Sequence, residues 1–172
     1  TSIPRYLLEQ SLFLLLRGIP SIVGVGLRAL AYRLILTSAG HPLIEDHVRL
    51  CLPANIRLGR NVYLDHGVYL HACPQGITIG DDTFVMHNAE LHVYNFRGLP
   101  NAGIWIGRNC FVGESCIIRG QGGVTIGDRS VIGSGSVVVK DIPAGVFAAG
   151  NPCRVIRLLE NPADSPGDCN IG

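Results

Sequence analysis

The chain has 172 residues, which is the size of one domain with its own hydrophobic core. Its formal net charge of +1 gives no electrostatic reason to bind nucleic acid or another polyanion. Six cysteines are present without a CxxC pair, so we predict reduced thiols and a cytoplasmic location.

Residues 1–45 differ in composition from the rest of the chain and are predicted to form an N-terminal helical segment. Two apolar runs, residues 6–16 and 22–36, contain scattered charged residues and are separated by Pro20. Neither run reaches the roughly 20 continuous apolar residues that a bilayer span needs. Two interpretations stay open. In the first, the helices pack on the rest of the domain or on a neighbouring copy of it. In the second, they form an amphipathic surface that lies peripherally on the inner membrane.

Branched aliphatic residues that recur every sixth position predict the fold of residues 46–157. This period fits neither a helix nor an alternating strand, but it fits a hexapeptide β-helix, in which each unit forms one short strand and one turn. Three units close one triangular coil, and the aliphatic residue points inward. We therefore predict a mainly β fold, a left-handed parallel β-helix of about four coils. The predicted inward positions are Leu58, Leu64, Leu70, Ile79, Val85, Leu91, Ile106, Val112, Ile118, Ile126, Ile132 and Val138.

The coils are longer than three repeat units, and all extra residues follow the third unit of a coil. The first inward positions of successive coils are 21, 27 and 20 residues apart. The longest insertion is a polar, turn-rich loop, NFRGLPNAG, at residues 95–103. We expect this loop to project from one corner of the prism, because loops on a rigid scaffold commonly carry function.

The C-terminal residues 158–172 lie beyond the repeats. We predict a short helix near residues 155–160. The stretch that follows, NPADSPGDCNIG, has the composition of a disordered tail.

The stretch IGDRSVIGSGSVVVKDIPAGVFAAGNPCRVIR, which starts at Ile126, resembles the end of the hexapeptide-repeat acyltransferases. That family includes maltose, galactoside and serine acetyltransferases and those of surface-polysaccharide pathways. The resemblance extends over residues 58–157 and implies a homotrimer that binds acetyl-CoA, as co-substrate, between two prisms. It also implies acetyl transfer to a sugar hydroxyl, and the apolar N terminus suggests a lipid-linked polysaccharide precursor as the acceptor.

The resemblance assigns the acetyl-CoA contacts position by position. Basic side chains meet the phosphates, where fixed cations and bidentate arginine bonds are expected. Backbone groups line the pantetheine arm. The phosphate residues are Lys140, Arg154 and Arg157, and the pantetheine residues are Gly113, Ser134, Ala148 and Ala149.

Transfer to a hydroxyl needs a base that takes the acceptor's proton, and histidine suits this role near neutral pH. The sugar acetyltransferases place that histidine in the protruding loop, but the loop of this chain contains no histidine. The position that corresponds to the family's histidine is near Asn95 or Phe96. Phe111 replaces the tryptophan that is usual in the family. The base must therefore come from elsewhere, or the protein is not catalytic.

Four histidines form two pairs, His66 with His71 and His87 with His92, and equivalent members lie 21 residues apart. The segment that ends at His66 resembles serine acetyltransferases, His87 matches a histidine of one group of surface-polysaccharide acetyltransferases, and His92 lies nearest the loop. The base is predicted to be His87, His66 or His92. Transfer is predicted to be direct, without an acyl-enzyme.

Carboxylates and loop residues complete the predicted catalytic site. Asp65 or Glu90 is expected to orient a neighbouring imidazole. Asn95 and Arg97, in the loop, are expected to contact acceptor hydroxyls.

Two other functions stay open. The pair His66 and His71 also resembles the zinc ligands of gamma-class carbonic anhydrases, which need a third histidine. His41 and His47 lie upstream but outside that motif, and the acyltransferase-type ending favours a site without metal. A noncatalytic trimeric scaffold is the other alternative, because the loop has lost its histidine.

Overall fold

The computed structural model describes residues 2–38 and 40–159. Two N-terminal helices, α1 (Ile3–Leu16) and α2 (Ser21–Ala31), precede a 3-10 turn at Tyr32–Leu34 and a parallel β-helix. In chain order, the successive coils contain β1 (Thr37–Ser38), β2 (Leu43–Ile44) and β3 (Arg49–Cys51); β4 (Ile56–Leu58), β5 (Tyr63–Leu64) and β6 (Tyr69–His71); β7 (Ile77–Ile79), β8 (Phe84–Val85) and β9 (Glu90–His92); β10 (Ile104–Ile106), β11 (Phe111–Val112) and β12 (Ile117–Arg119); and β13 (Val124–Ile126), β14 (Val131–Ile132) and β15 (Val137–Val138). The last two strands are β16 (Val146–Ala149) and β17 (Arg154–Leu158).

The strands form three parallel sheets, which are the faces of a triangular prism. Sheet A contains β1, β4, β7, β10 and β13, and sheet C contains β3, β6, β9, β12 and β15. Sheet B contains β2, β5, β8, β11 and β14, followed by β16 and β17. We name the turns between faces the A–B, B–C and C–A corners. The predicted left-handed parallel β-helix is confirmed.

The predicted inward positions form the core of the prism. Each of the aliphatic residues at these positions exposes at most 3% of its surface. They lie in register from coil to coil, as in the series Leu58, Ile79, Ile106 and Ile126. Neighbouring strands in such a stack lie about 4.8 Å apart, so each side chain packs on its counterpart above and below.

The prism begins at Thr37, one coil earlier than the repeat pattern indicated. Ser38 pairs in register with Leu58, Ile44 with Leu64, and Leu50 with Leu70. Serine at the first inward position of this coil breaks the aliphatic pattern. The described residues therefore form five complete coils, and residues 37–38 and 40–45 belong to strands and corners rather than to the helical segment.

All insertions lie at the C–A corner, as predicted. The longest connects β9 to β10, and residues 96–101 of it are exposed. Ala102 and Gly103 are buried where the chain re-enters the prism. The loop therefore projects from one corner of the third coil.

The two helices cover the first coil and are fixed by Arg28. Its buried guanidinium donates to the carbonyl oxygens of Leu16 and Ile19 at 2.8 and 2.7 Å, and to that of Ile44 at 2.8 Å. Phe13 packs edge-on against Tyr32 with ring centroids 5.6 Å apart. These contacts join α1, α2 and β2, so the helices pack on the prism.

The opposite surface of the helices is apolar and exposed. No helix in the described part of the chain is long and apolar enough to cross a membrane. The large apolar side chains on this surface are Ile3, Tyr6, Leu7, Leu14, Leu15, Ile22, Val23, Leu27, Leu30 and Leu34.

The predicted C-terminal helix near residues 155–160 is wrong over its described part, because Arg154–Leu158 is strand β17. This strand turns back and pairs antiparallel with β16, as in Phe147 with Arg157 and Ala149 with Arg154. A parallel stack leaves the backbone groups of its last strand without partners, and β17 satisfies those of β16. Val155 and Ile156, which are β-branched, suit a strand. The predicted disordered tail, residues 161–172, lies outside the described residues.

Replacing Arg28 with methionine keeps an apolar side chain of similar length but removes the donors to three carbonyl groups. We expect the free energy of unfolding to fall by roughly 3 kcal/mol, because buried acceptors lose their partners. Urea denaturation measures the change. Arg33→Met, at an exposed arginine of the adjacent turn, is the matched control, and an equal loss in both variants would contradict the role of Arg28.

Candidate active site

A column of polar side chains runs along the B–C corner. Each corner residue lies above its equivalent in the preceding coil, because backbone bonds join successive corners: Asn88 N–H to the His66 oxygen at 3.0 Å, and Ser115 N–H to the His87 oxygen at 3.0 Å. Gly135 N–H continues the series to the Glu114 oxygen at 2.8 Å. We call this set the corner column; from the first coil to the fifth it consists of Asp46, His66, His87, Glu114 and Ser134.

His87 lies near the middle of the corner column beside Asp65. Its Nδ1 is 3.6 Å from Asp65 Oδ2, and its side chain is 50% exposed, so substrate can reach it. Asp65 is itself fixed, since its two carboxylate oxygens accept the backbone N–H groups of His66 at 2.7 Å and His87 at 3.1 Å. A fixed carboxylate on one side of the ring favours a proton on Nδ1 and leaves Nε2 as the basic atom.

His66 has a different carboxylate partner, Asp46. The Asp46 Oδ1 accepts from His66 Nδ1 at 3.1 Å, and Oδ2 accepts from His47 Nδ1 at 2.7 Å. The hydrogen bonds from His66 and then from His47 hold the pKa of Asp46 below its usual range. Within the described residues, the group of metal-ligating side chains close enough to share an ion is Asp46, His47 and His66. It does not include His71, the predicted zinc partner of His66.

His71 and His92 lie at the opposite end of sheet C, beside the loop. Their rings stack with centroids 4.5 Å apart, and Tyr94 covers them. Burial lowers the pKa of both imidazoles below 6.5, and His71 and Arg119 lower that of His92 further. Arg119 donates to His92 Nδ1 at 3.0 Å, so the neutral ring carries its proton on Nε2. Both nitrogens of His92 are then occupied, which is unfavourable for a base.

The loop residues expected to bind the acceptor have distinct roles in the structure. The Asn95 amide donates to the Leu99 oxygen at 2.8 Å and accepts from the Leu99 N–H at 2.8 Å, so it shapes the loop. Phe96, near the place of the family histidine, is 71% exposed and stacks against Tyr94. Arg97 is exposed. Contacts of Asn95 and Arg97 with the acceptor stay predictions.

Most residues predicted to bind acetyl-CoA lie in the upper coils near the corner column. Ser134 belongs to the column and donates a hydrogen bond to the carboxylate of Glu114. A side chain at Gly113 would lie 2.6 Å from the Ser134 nitrogen, so the successive corners pack closely there. Ala149 pairs with Arg154 in β16 and β17, while Ala148 is buried, so its contact with acetyl-CoA stays a prediction.

The predicted phosphate residues lie on different sides of one prism. Arg154 and Arg157 lie on β17, at the end of sheet B, and the Arg157 guanidinium lies 5.8 Å from the centre of the Phe147 ring. Lys140 follows β15 of sheet C, at the C–A corner, and is exposed. The phosphate residues therefore do not form a single cluster on one chain.

The chain is similar in sequence to known acetyltransferases. The family model described as the hexapeptide repeat of succinyl-transferase matches residues 103–140. A Staphylococcus aureus (strain COL) protein named as an acetyltransferase is 41% identical over 143 residues, which cover 73% of this chain and 70% of that protein. The chain belongs to the hexapeptide-repeat acetyltransferase family. Galactoside O-acetyltransferase of Escherichia coli (strain K12) is 39% identical over 127 residues, 69% of this chain and 61% of that protein, so this chain spans less than two thirds of it.

Solved structures of this acetyltransferase family have the same architecture. Galactoside acetyltransferase in complex with coenzyme A superposes with a TM-score of 0.78 at 32% identity, over 93% of this chain and 82% of that one. A maltose O-acetyltransferase from Clostridium difficile 630 gives a TM-score of 0.76 at 28% identity, over 91% of this chain and 87% of the other. The resemblance seen in the sequence is thereby confirmed.

Sequence reasoning missed Asp46, Glu114 and Arg119 as partners of site residues. Asp46 lies in the first coil, which the repeat pattern did not reveal because Ser38 occupies an inward position. Ile44 and Leu50 keep the six-residue spacing and could have indicated this coil. Glu114 and Arg119 follow from the coil register, which places residue 114 above 87 and pairs Arg119 with His92.

Acidification below about pH 6.5 should destabilise the protein through His71 and His92. Their folded-state pKa values are lowered, so the unfolded chain takes up protons first and stability falls as pH drops through the unfolded pKa. His71→Phe keeps a stacked ring but cannot titrate. We expect its urea midpoint to fall less than that of the parent chain between about pH 7.5 and about pH 5.5. His41→Phe, at an exposed histidine, is the control, and an unchanged fall in His71→Phe would contradict this account.

Proposed function

We propose that the protein is an acetyl-CoA-dependent acetyltransferase that acetylates a hydroxyl of a sugar. The observation that carries the proposal is His87, half exposed at the B–C corner beside Asp65 and one coil below Gly113. Members of its family include a galactoside O-acetyltransferase and a maltose O-acetyltransferase. A galactoside acetyltransferase was solved in complex with coenzyme A, which supports acetyl-CoA as the donor.

In the proposed reaction, Nε2 of His87 takes the proton of the acceptor hydroxyl while the hydroxyl oxygen attacks the thioester carbonyl of acetyl-CoA. The tetrahedral intermediate then collapses, the carbon–sulfur bond breaks, and the leaving thiolate recovers that proton from the imidazolium. Asp65 stabilises the imidazolium between the two steps. Burial raises the pKa of the Cys110 and Cys116 thiols, which makes them poor nucleophiles and favours direct transfer over an acyl-enzyme.

His87 is preferred to the other candidate histidines for two reasons. His92 accepts a hydrogen bond from Arg119, so its Nδ1 lone pair is occupied. His66 lies a further coil away from Gly113 and Ser134, and it shares the Asp46 carboxylate with His47.

We propose a homotrimer in which acetyl-CoA lies between two prisms. Lys140 and Arg157 lie on different sides of one chain. Both residues can contact one acetyl-CoA molecule if it lies between two subunits, with Lys140 from one subunit and Arg157 from the other. An apolar stripe on the outer face of sheet B supports contact between copies. It consists of Leu43, Tyr63, Phe84, Phe111, Val131 and Phe147, which are in register.

The acceptor is proposed to be a surface-polysaccharide precursor, with peripheral attachment to the inner membrane and the rest of the protein in the cytoplasm. The exposed apolar surface of α1 and α2 supports this placement. The noncatalytic scaffold differs from this proposal in one measurable respect, since it has no acetyl-transfer turnover.

His87→Ala should lower kcat by about 100-fold or more with the fold intact, as expected for loss of a general base. Steady-state transfer to a panel of sugars measures it, with His41→Ala as the control. A normal rate in His87→Ala together with a large loss in His66→Ala or His92→Ala would move the base to that residue. Normal rates in all of these variants would rule out His66, His87 and His92 as the base.

Arg157→Ala should raise the KM for acetyl-CoA about tenfold with little change in kcat, because a charge-assisted bond to phosphate is lost. Arg108→Ala is the matched control, since Arg108 is an exposed arginine that pairs with Asp128 at the A–B corner and is not among the residues predicted to bind acetyl-CoA. Calorimetric titration of acetyl-CoA into both variants measures affinity directly, and equal affinities would contradict the phosphate assignment.

A further inference from the structure

We propose that Asp46, His47 and His66 bind one divalent transition-metal ion, such as zinc or cobalt, at the B–C corner of the first two coils. Their ligand atoms all lie within 4.8 Å of one another. The Asp46 carboxylate contacts both imidazoles, at 2.7 Å to His47 and 3.1 Å to His66. The site is separate from His87, and its existence does not depend on the acetyltransferase proposal.

The donor set suits such an ion. Two imidazoles and one carboxylate are a common ligand set for zinc and for other first-row divalent metals. Metal–ligand bonds of about 2.0–2.2 Å place neighbouring donor atoms a few tenths of an ångström further apart than the present hydrogen bonds. When each ring proton moves to the other nitrogen, the lone pairs that face Asp46 become available to the ion.

The side chains are free to make this adjustment and to admit an ion. His47 and His66 are 54% and 53% exposed, whereas Asp46 between them is 20% exposed and therefore held more firmly. Water can complete the coordination sphere from the solvent side. An ion here cross-links the first coil to the second, at the level where the helices meet the prism.

The backbone at His47 fits the repeating geometry of the corner. Each coil has a left-handed residue at this place of the B–C corner; after His47, with φ 58°, they are Gly67, Asn88, Ser115 and Gly135. Histidine, like asparagine, adopts this conformation more often than most residues do, so the turn accepts an imidazole here. The His47 N–H donates to the Arg17 oxygen at 2.9 Å, which fixes the turn beside Asp46.

Titration of untagged, chelator-treated protein with Co²⁺ tests the proposal. We expect one ion per chain, with the visible absorption of nitrogen- and oxygen-bound cobalt and without the near-ultraviolet band of a thiolate ligand. Zn²⁺ should displace the cobalt. At about a hundredfold excess over Kd, Zn²⁺ should raise Tm by roughly 5–10 °C, because the ion binds only the folded chain.

Variants assign the ligands. His47→Ala and Asp46→Asn should lose the cobalt spectrum and the Tm shift, while His41→Ala, an exposed histidine of the same coil, should keep both. Absence of binding at millimolar Co²⁺, an unaltered spectrum in His47→Ala, or a thiolate band would each overturn the proposal. Acetyl-CoA turnover measured on the same preparations reports on the proposed function alone, so the two fail separately.

Discussion

Direct stacking of each coil on the one before is the constraint on which the rest of this structure depends. The interior of the prism admits one aliphatic and one small side chain per unit, and Val85, Val112 and Ile132 repeat in register with no exposure. Because the backbone of one coil binds that of the next, a slip of one residue would turn every inward side chain outward. Outer side chains must then form columns as well.

The polar columns are a consequence of the core register. Asp46 and His66 belong to different coils, as do Asp65 and His87, and each pair meets because the coils superpose. The same rule joins His71, His92 and Arg119 on sheet C. An apolar core that needs strict repetition thus places successive backbones about 4.8 Å apart along a corner, so titratable side chains of neighbouring coils can come within hydrogen-bond distance of each other.

The stacked histidines acquire different chemistry through their partners. His87 is paired with a carboxylate that backbone N–H groups fix, His66 shares its carboxylate with His47, and His92 receives a proton donor from Arg119. These partners, rather than the imidazoles themselves, separate a proposed base from a proposed metal ligand and from a structural group.

The sequence by itself determined the parallel β-helix, its inward residues, the corner that carries the loop and the family, because a six-residue period admits one way to bury its aliphatic face. The 21 residues that separate His66 from His87, and His71 from His92, also match the register of the second and third coils. Only the tertiary structure revealed the first coil, because Ser38 interrupts the aliphatic pattern there. The contact of Asp46 with two histidines became visible with that coil. Only the tertiary structure turned Arg154–Leu158 into a strand, because the open edge of β16 needed a partner that local propensity does not reveal. His66 and Asp46 form a hydrogen bond although they are 20 residues apart, and such a contact depends on the length of every intervening turn. The six-residue period fixes which side chains point into the prism, but not the lengths of the turns at its corners.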